Sequence, residues 1–136
     1  MAPKQVVFSE KGLKSPLLSQ AIIHNGTVYV SGHIGLDTAT NQVVEGSVAD
    51  RTRKALENIK IVLEEAGSSL EKILKMNIYI TSMQDYAAMN QACASHPFAD
   101  LPHSTPLTQK QSSRSFQNQD LHGPASLLQS YHSRQM

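Results

Sequence analysis

The strongest constraint on this chain is the abrupt loss of its strand-forming residues. All 16 valines and isoleucines of the 136-residue sequence lie within residues 1–94, and residues 95–136 contain none. Serine, glutamine, histidine and proline fill 22 of those last 42 positions. Because Val and Ile favour strands whereas Pro and Ser interrupt regular structure, we expect one folded domain over residues 1–94 and a poorly ordered tail over residues 95–136.

Charge and cysteine content exclude several classes of protein. The 12 Lys and Arg residues balance 11 Asp and Glu, a net charge of +1, which makes nucleic acid or an anionic membrane an unlikely partner. The single cysteine, Cys93, excludes an internal disulfide or a cysteine-based zinc cluster, and no base partner can be named for its thiol. No apolar run approaches the roughly 20 residues of a membrane helix. These features predict a soluble intracellular protein without a metal site.

A β-hairpin is the clearest local prediction. Residues 21–24 and 27–31 are rich in Val and Ile, and Asn25-Gly26 lies between them. An Asn-Gly pair suits the positive φ angles of a type I′ turn, which joins two antiparallel strands. Lys4 to Phe8 is a further strand candidate.

Two helices and one more strand follow the hairpin. Ser47 and Asp50 form a capping-box pattern at the start of a helix that runs to Ala66, with apolar residues at three- and four-residue steps. Residues 74–81 alternate as a strand, with Leu74, Met76, Ile78 and Ile80 on one face, and a second helix runs from Met83 to about Ala92. This order predicts an α+β fold with both helices on one face of a mixed sheet, and the sheet is left incomplete because the tail offers no strand.

Four residues are candidates for contact with a ligand. Gly32, between Ser31 and His33 at the end of the hairpin, has no side chain and lets a ligand or another backbone approach closely. A bend at a strand end is the preferred explanation of this glycine on the sequence alone. His33 has the residue type of a general acid or base, although no carboxylate is paired with it in sequence and a lone histidine is more often an ordinary residue. Asn90, late in the second helix, can orient a ligand or cap the helix end.

Four segments, taken in order, form a recognisable pattern. They are Ser19–Ala21, Val28–Ile34, the stretch Arg53–Lys60 with Leu63–Leu70, and Asp85–Asn90. The pattern resembles the RidA/YjgF family, the reactive-intermediate imine/enamine deaminases, over roughly residues 5–92. The resemblance implies a chorismate-mutase-like fold, a homotrimer with clefts between subunits, and no metal or organic cofactor. It also implies hydrolysis of 2-imino or 2-enamine acids, such as 2-aminoacrylate, to 2-keto acids and ammonia.

The resemblance assigns few site residues. Ser31 and Gly32 match the loop that approaches the substrate with backbone groups, Asn90 matches an asparagine at the cleft, and His33 stands where many members have Gln. Leu18 replaces an aromatic residue of the family. Members also continue into a strand with the pattern Pro-x-Arg-[Thr/Ser]-Cys-Val, whose arginine grips the substrate carboxylate, and then into a last strand with a glutamate. Neither pattern occurs in residues 95–136, and Arg114 does not match that arginine. The catalytic residues are therefore unassigned.

Three functions remain open at this point. The first is RidA-type deamination, with an activity that is impaired if binding of the substrate carboxylate requires the missing arginine. The second is a catalytically inactive binding or regulatory protein, or a defective isoform. The third, endoribonuclease or inhibitor of translation, draws only on descriptions of the family, because a near-neutral charge and 5% aromatic residues offer no basic groove or stacking surface. We expect a cytoplasmic location, with the mitochondrion as the alternative, because the resemblance links fungal members to mitochondrial upkeep and isoleucine metabolism.

Overall fold

The β-hairpin has the predicted turn. The computed structural model describes residues 2–95 and the backbone of residues 128–134. Strand β2 (Ala21–His24) pairs antiparallel with β3 (Thr27–Val30), and φ is 50° at Asn25 and 73° at Gly26. These are the positive angles that a type I′ turn requires, and Asn and Gly tolerate them best. A short strand β1 (Gln5–Val7) pairs antiparallel with the outer side of β2.

Helix α1 (Val48–Glu65) begins at the predicted capping box. The Asp50 amide donates to Ser47 Oγ at 3.3 Å, and the Ser47 amide donates to Asp50 Oδ2 at 2.8 Å. Two backbone amides that the first turn cannot satisfy are thereby bonded. These bonds also hold the pKa of the Asp50 carboxyl below its ordinary value. The helix ends before Gly67, which has a φ of 74°.

Strand β4 (Ile73–Tyr79) departs from simple alternation at its start. Ile73 lies opposite Ser133 whereas Lys75 lies opposite His132, so Leu74 is the extra residue of a β-bulge. The bulge turns Ile73 into the core and leaves Leu74 61% exposed. The prediction that Leu74 shares a face with Met76, Ile78 and Ile80 is therefore wrong, because the alternation holds only beyond the bulge.

The second helix begins later than predicted. A one-turn 3-10 helix (Met83–Asp85) precedes α2 (Tyr86–Ala94), and Ser82 Oγ accepts from the Gln84 amide at 3.3 Å. Ser82 therefore caps the 3-10 turn. Among the described residues, neither α-helix combines the length and the hydrophobicity needed to cross a bilayer.

The sheet contains a strand that composition did not predict. Residues Leu128–Arg134 form β5, which pairs antiparallel with β3 on one side and β4 on the other, so the strand order is β1-β2-β3-β5-β4. The expectation that the segment after α2 returns no strand is wrong here, because ladder bonds join backbone groups and do not require Val or Ile. The resemblance implies two strands after α2, and the described residues hold one. The poor order expected of the remaining tail lies outside the described residues.

The α+β fold is confirmed, with one correction to the sheet. Every pair of neighbouring strands in the described part of the chain is antiparallel, so the sheet formed there is not mixed, contrary to the prediction. Both helices cover one face, as predicted. One core cluster joins α1 to β2, β3 and β4, and a second joins α1 to α2 and the end of β4. The second cluster comprises Val48, Ala55, Ile80 and Met89.

Candidate functional site

The Ser31 residue that follows β3 is held through all of its polar groups. Its amide donates to the Gln20 carbonyl at 3.0 Å, and its hydroxyl donates to the Ser19 carbonyl at 2.5 Å. Its own carbonyl oxygen lies 2.7 Å from Nδ1 of His33. The segment after the strand therefore begins at a residue that is fully bonded within the protein.

The backbone of Gly32, in contrast to that of Ser31, is not hydrogen-bonded within the part of the chain that the structure describes. It is exposed, its φ is not positive, and neither its amide nor its carbonyl has a hydrogen-bond partner among the described residues. A peptide unit without a side chain and without an internal partner can bind a ligand directly. Of the three residues predicted at this loop, Gly32 is the one whose backbone is open to a ligand.

His33 is buried, with 3% of its surface exposed. Burial lowers the pKa of its imidazole from 6.5, and the hydrogen bond with Ser31 opposes this shift. The ring is therefore neutral at pH 7. Because a carbonyl oxygen only accepts, the contact with Ser31 assigns the proton to Nδ1 and leaves Nε2 as the acceptor.

Gln20 ties the site to the loop that precedes it. Its side chain is buried, with Oε1 accepting from the Ser9 amide at 2.6 Å and Nε2 donating to the carbonyls of Ser9 at 3.0 Å and Leu13 at 2.9 Å. The same residue accepts the Ser31 amide through its main chain. Leu18, two residues earlier, is 63% exposed and presents an apolar side chain.

The next part of the loop is clamped onto α1 by Asn58, a residue that sequence reasoning missed. Its Nδ2 donates to the carbonyl of Ile34 at 3.1 Å and to that of Leu36 at 2.8 Å, and its side chain is fully buried. The signal was present in the sequence, because an asparagine at an apolar-face position of a helix must find polar partners. Asn58 Oδ1 has no partner among the described residues.

Asn90 lies on the other element that packs against α1. It is half-buried on α2, next to the buried Met89, which joins the cluster around Val48 and Ala55. Asn90 is not hydrogen-bonded to Ser31, Gly32 or His33. Helix α1 thus contacts both the segment that follows His33 and the helix that carries Asn90, and no hydrogen bond joins Asn90 to residues 31–33.

The described residues offer little other chemistry. They hold no group of three or more His, Cys, Asp or Glu side chains that could share a metal ion. Cys93 is half-buried with Sγ 3.9 Å from Sδ of Met89, and burial raises its pKa to about 11. Such a thiol is protonated at neutral pH and is a poor nucleophile.

Comparison with known proteins identifies the family. A family model described as Endoribonuclease L-PSP matches residues 14–110. A protein of Schizosaccharomyces pombe named "Protein mmf1, mitochondrial" is 45% identical over 91 residues, which are 67% of this chain and 55% of that protein. A 2-iminobutanoate/2-iminopropanoate deaminase of Dermatophagoides farinae is 36% identical over 92 residues, which are 66% of this chain and 71% of that protein.

The fold agrees with these relatives. The crystal structure of RidA from an Antarctic Psychrobacter superimposes with a TM-score of 0.73 and 26% identity, over 96% of this chain and 98% of that one. The family model covers well over half of the sequence, and the order of strand, hairpin, helix, strand and helix is the one that the sequence patterns predicted. The chain therefore belongs to the RidA/YjgF family, whose family model carries the description Endoribonuclease L-PSP.

Proposed function

We propose that this chain hydrolyses reactive 2-imino and 2-enamine acids, such as 2-aminoacrylate, to 2-keto acids and ammonia. Membership of the RidA/YjgF family and the relative named as a deaminase support this reaction. The observation that carries it is the exposed Gly32 peptide, held between a fully bonded Ser31 and a buried His33. Such a loop is rigid enough to hold a small ligand by its backbone.

Positioning suffices for this chemistry. The enamine first tautomerises to the imine, and water then adds to the imine carbon while the nitrogen takes up a proton. The C–N bond of the carbinolamine breaks as the C=O bond forms, and ammonia leaves. Because free imines already hydrolyse in water, holding the imine and one water in reactive geometry accelerates the step without a cofactor.

The proposed binding residues come from two elements. Gly32 supplies unbonded peptide groups, Ser31 and His33 flank it with side chains bonded within the protein, and Asn90 supplies an amide from α2. The half-buried amide of Asn90 is suited to orient a carboxylate or an imine nitrogen. No catalytic acid or base is assigned.

A homotrimer with clefts between subunits is part of the same proposal. Val6, Ile22 and Tyr29 lie opposite one another on three adjacent strands, on the face away from the helices. Val6 is 62% exposed and Tyr29 43% exposed. Burying an apolar row of this kind in a subunit interface is favourable, at about 25 cal/mol per Å². Light scattering coupled to sizing chromatography measures the number of subunits directly.

A catalytically inactive binding protein, or a defective isoform, is the second candidate. It is favoured by the sequence after α2, which lacks the Pro-x-Arg pattern, and by Leu18 in place of an aromatic residue. An arginine binds a carboxylate with two parallel charged hydrogen bonds, and peptide groups replace that contact only in part. This candidate predicts binding of a 2-keto acid without acceleration of imine hydrolysis.

Two further attributes are proposals of lower weight. Cleavage of RNA is supported by the family description and by no feature of charge or aromatic content. A cytoplasmic location is proposed, with the mitochondrion as the alternative that the name of the fission-yeast relative supports. Incubation with a labelled RNA and imaging of a tagged full-length chain test these two points.

The activity test uses an unstable substrate that a second enzyme generates in the assay mixture. Threonine dehydratase acting on serine generates 2-aminoacrylate, and the appearance of pyruvate is followed with and without this protein at micromolar concentration. The matched control is Gly32→Ala, which adds one methyl group at an exposed position with ordinary φ and leaves the fold intact. Acceleration by the wild-type chain that Gly32→Ala loses supports the proposal, and a rate equal to that in buffer contradicts it.

A further inference from the structure

The Ser31–Gly32 segment has a conformational freedom that must be removed before it can hold a ligand. The peptide between Ser31 and Gly32 can rotate, and glycine imposes no side-chain restriction of its own. Rotation of that peptide would move the Gly32 amide away from a bound ligand. Some group therefore has to fix the Ser31 carbonyl.

His33 is the group that does so. Its Nδ1 lies 2.7 Å from the Ser31 carbonyl oxygen, and its ring is almost fully buried. A hydrogen bond between residues two apart sets the orientation of the peptides between them. A buried donor makes that bond persistent, because water does not compete for the carbonyl.

The far end of the segment is fixed independently. Asn58 bonds the Ile34 and Leu36 carbonyls, and the Val44 amide donates to the Gly35 carbonyl at 2.8 Å. Between these anchors and Ser31, His33 is the residue whose side chain reaches back to the Ser31 carbonyl. The Gly32 peptide groups stay unbonded among the described residues.

We propose that His33 is a positioning residue of the imine site, which acts by donating its Nδ1 proton to the Ser31 carbonyl and so holds the Gly32 peptide in its ligand-binding orientation. The role rests on the proposed function of the loop. It differs from the general acid or base that the residue type suggests, because the proton that His33 carries is engaged within the protein. It requires a donor at the position of Nδ1, and the rest of the ring acts only by its volume.

Two substitutions separate positioning from proton transfer. In His33→Asn the side-chain nitrogen branches from the same carbon as Nδ1, so the donor is kept, whereas His33→Leu keeps apolar volume and removes the donor. Loss of one hydrogen bond weakens ligand binding about fivefold to tenfold. We expect His33→Leu to raise KM by this factor with little change in kcat, and His33→Asn to restore KM. A fall in kcat that His33→Asn fails to restore would assign the ring to proton transfer and overturn the proposal.

A spectroscopic readout keeps the inference testable without turnover. In the ¹⁵N spectrum of the wild-type chain, we expect the neutral His33 ring to carry its proton on Nδ1, and we expect the Gly32 amide resonance to move in His33→Leu and to stay in His33→Asn. The matched control is His24→Leu, at the other end of the same hairpin, which leaves the Gly32 resonance in place. A proton on Nε2, or an unmoved Gly32 resonance in His33→Leu, overturns the inference. If the wild-type chain lacks activity while these signals agree, the proposed function fails, and His33 is left with the local role of fixing the Gly32 peptide.

Discussion

A Cβ atom on Gly35 would lie 2.5 Å from the carbonyl oxygen of Arg51 and 2.7 Å from its Cα. The loop that leaves the candidate site thus crosses the backbone of α1 in direct contact. Both partners of this contact are main-chain atoms, so neither can move aside as a flexible side chain would. The glycine is required by space, since its φ is not positive.

Gly35→Ala is therefore expected to destabilise the protein by about 2–3 kcal/mol, because the added methyl group forces the loop off the helix. Urea unfolding followed by circular dichroism measures the change. Gly32→Ala, three residues earlier and exposed, is the control and should unfold within about 0.5 kcal/mol of the wild-type chain. Equal stability of the two variants would contradict the close crossing.

Replacing Asn58 tests the clamp on the same loop. Asn58→Ala removes both donors, and the Leu36 carbonyl loses its side-chain partner at a cost of about 1–3 kcal/mol. Glu57→Ala, the exposed neighbour on α1, removes only a long ion pair with Lys54 and should cost less than about 0.5 kcal/mol. Thermal unfolding of the two variants side by side checks this difference, and matching midpoints would show that the clamp contributes nothing.

Stability should depend on pH through His33. Its pKa is lowered in the folded protein because the ring is buried, so the unfolded chain takes up a proton first as the pH falls. The neutral His33 ring contributes fully to the free energy of unfolding above pH 6.5. This contribution is lost as the pH falls from 6.5 to the folded-state pKa. Asp37, Asp50 and Glu71 also have lowered pKa values, but they change the stability only in a more acidic range, since their ordinary pKa values are 3.8 to 4.5. The difference between wild-type and His33→Gln stability, measured by urea unfolding from pH 7.5 to 5, should shrink as the pH falls, and a constant difference would refute the neutral buried ring.

Cys93 should react slowly with thiol reagents. With a pKa of about 11, its thiol exceeds its thiolate roughly a thousandfold at pH 8. Labelling by iodoacetamide is expected to be much slower in the native protein than in urea. Rapid labelling of the native protein would show that the thiol is neither buried nor held against Met89.

The hairpin and α1 could be predicted because their signals are local. Asn25-Gly26 specifies its own turn, and Ser47 with Asp50 supplies the cap of α1 within four residues. Strand β5 could not be predicted, because its pairing with β3 and β4 depends on backbone groups that are distant in sequence. The bulge at Leu74 is set by that same long-range pairing.

The candidate site was predictable in part for a similar reason. Ser31, Gly32 and His33 were identified from residue type and from resemblance, and the structure adds that one of them is open whereas the other two are bonded inward. The Asn58 clamp and the Gly35 crossing require knowledge of which helix the loop meets. Asn58, a polar residue on the apolar face of α1, was the one sequence signal that the loop contacts this helix.

The most direct test of the account follows the Gly32 amide while a ligand is added. In a ¹H–¹⁵N titration of the labelled protein with 2-oxobutanoate, a stable 2-keto acid product, we predict a saturable shift of the Gly32 resonance, larger than that of exposed residues remote from the loop such as Gly26. A Gly32 resonance that does not move at millimolar 2-oxobutanoate would contradict the claim that this loop binds the substrate.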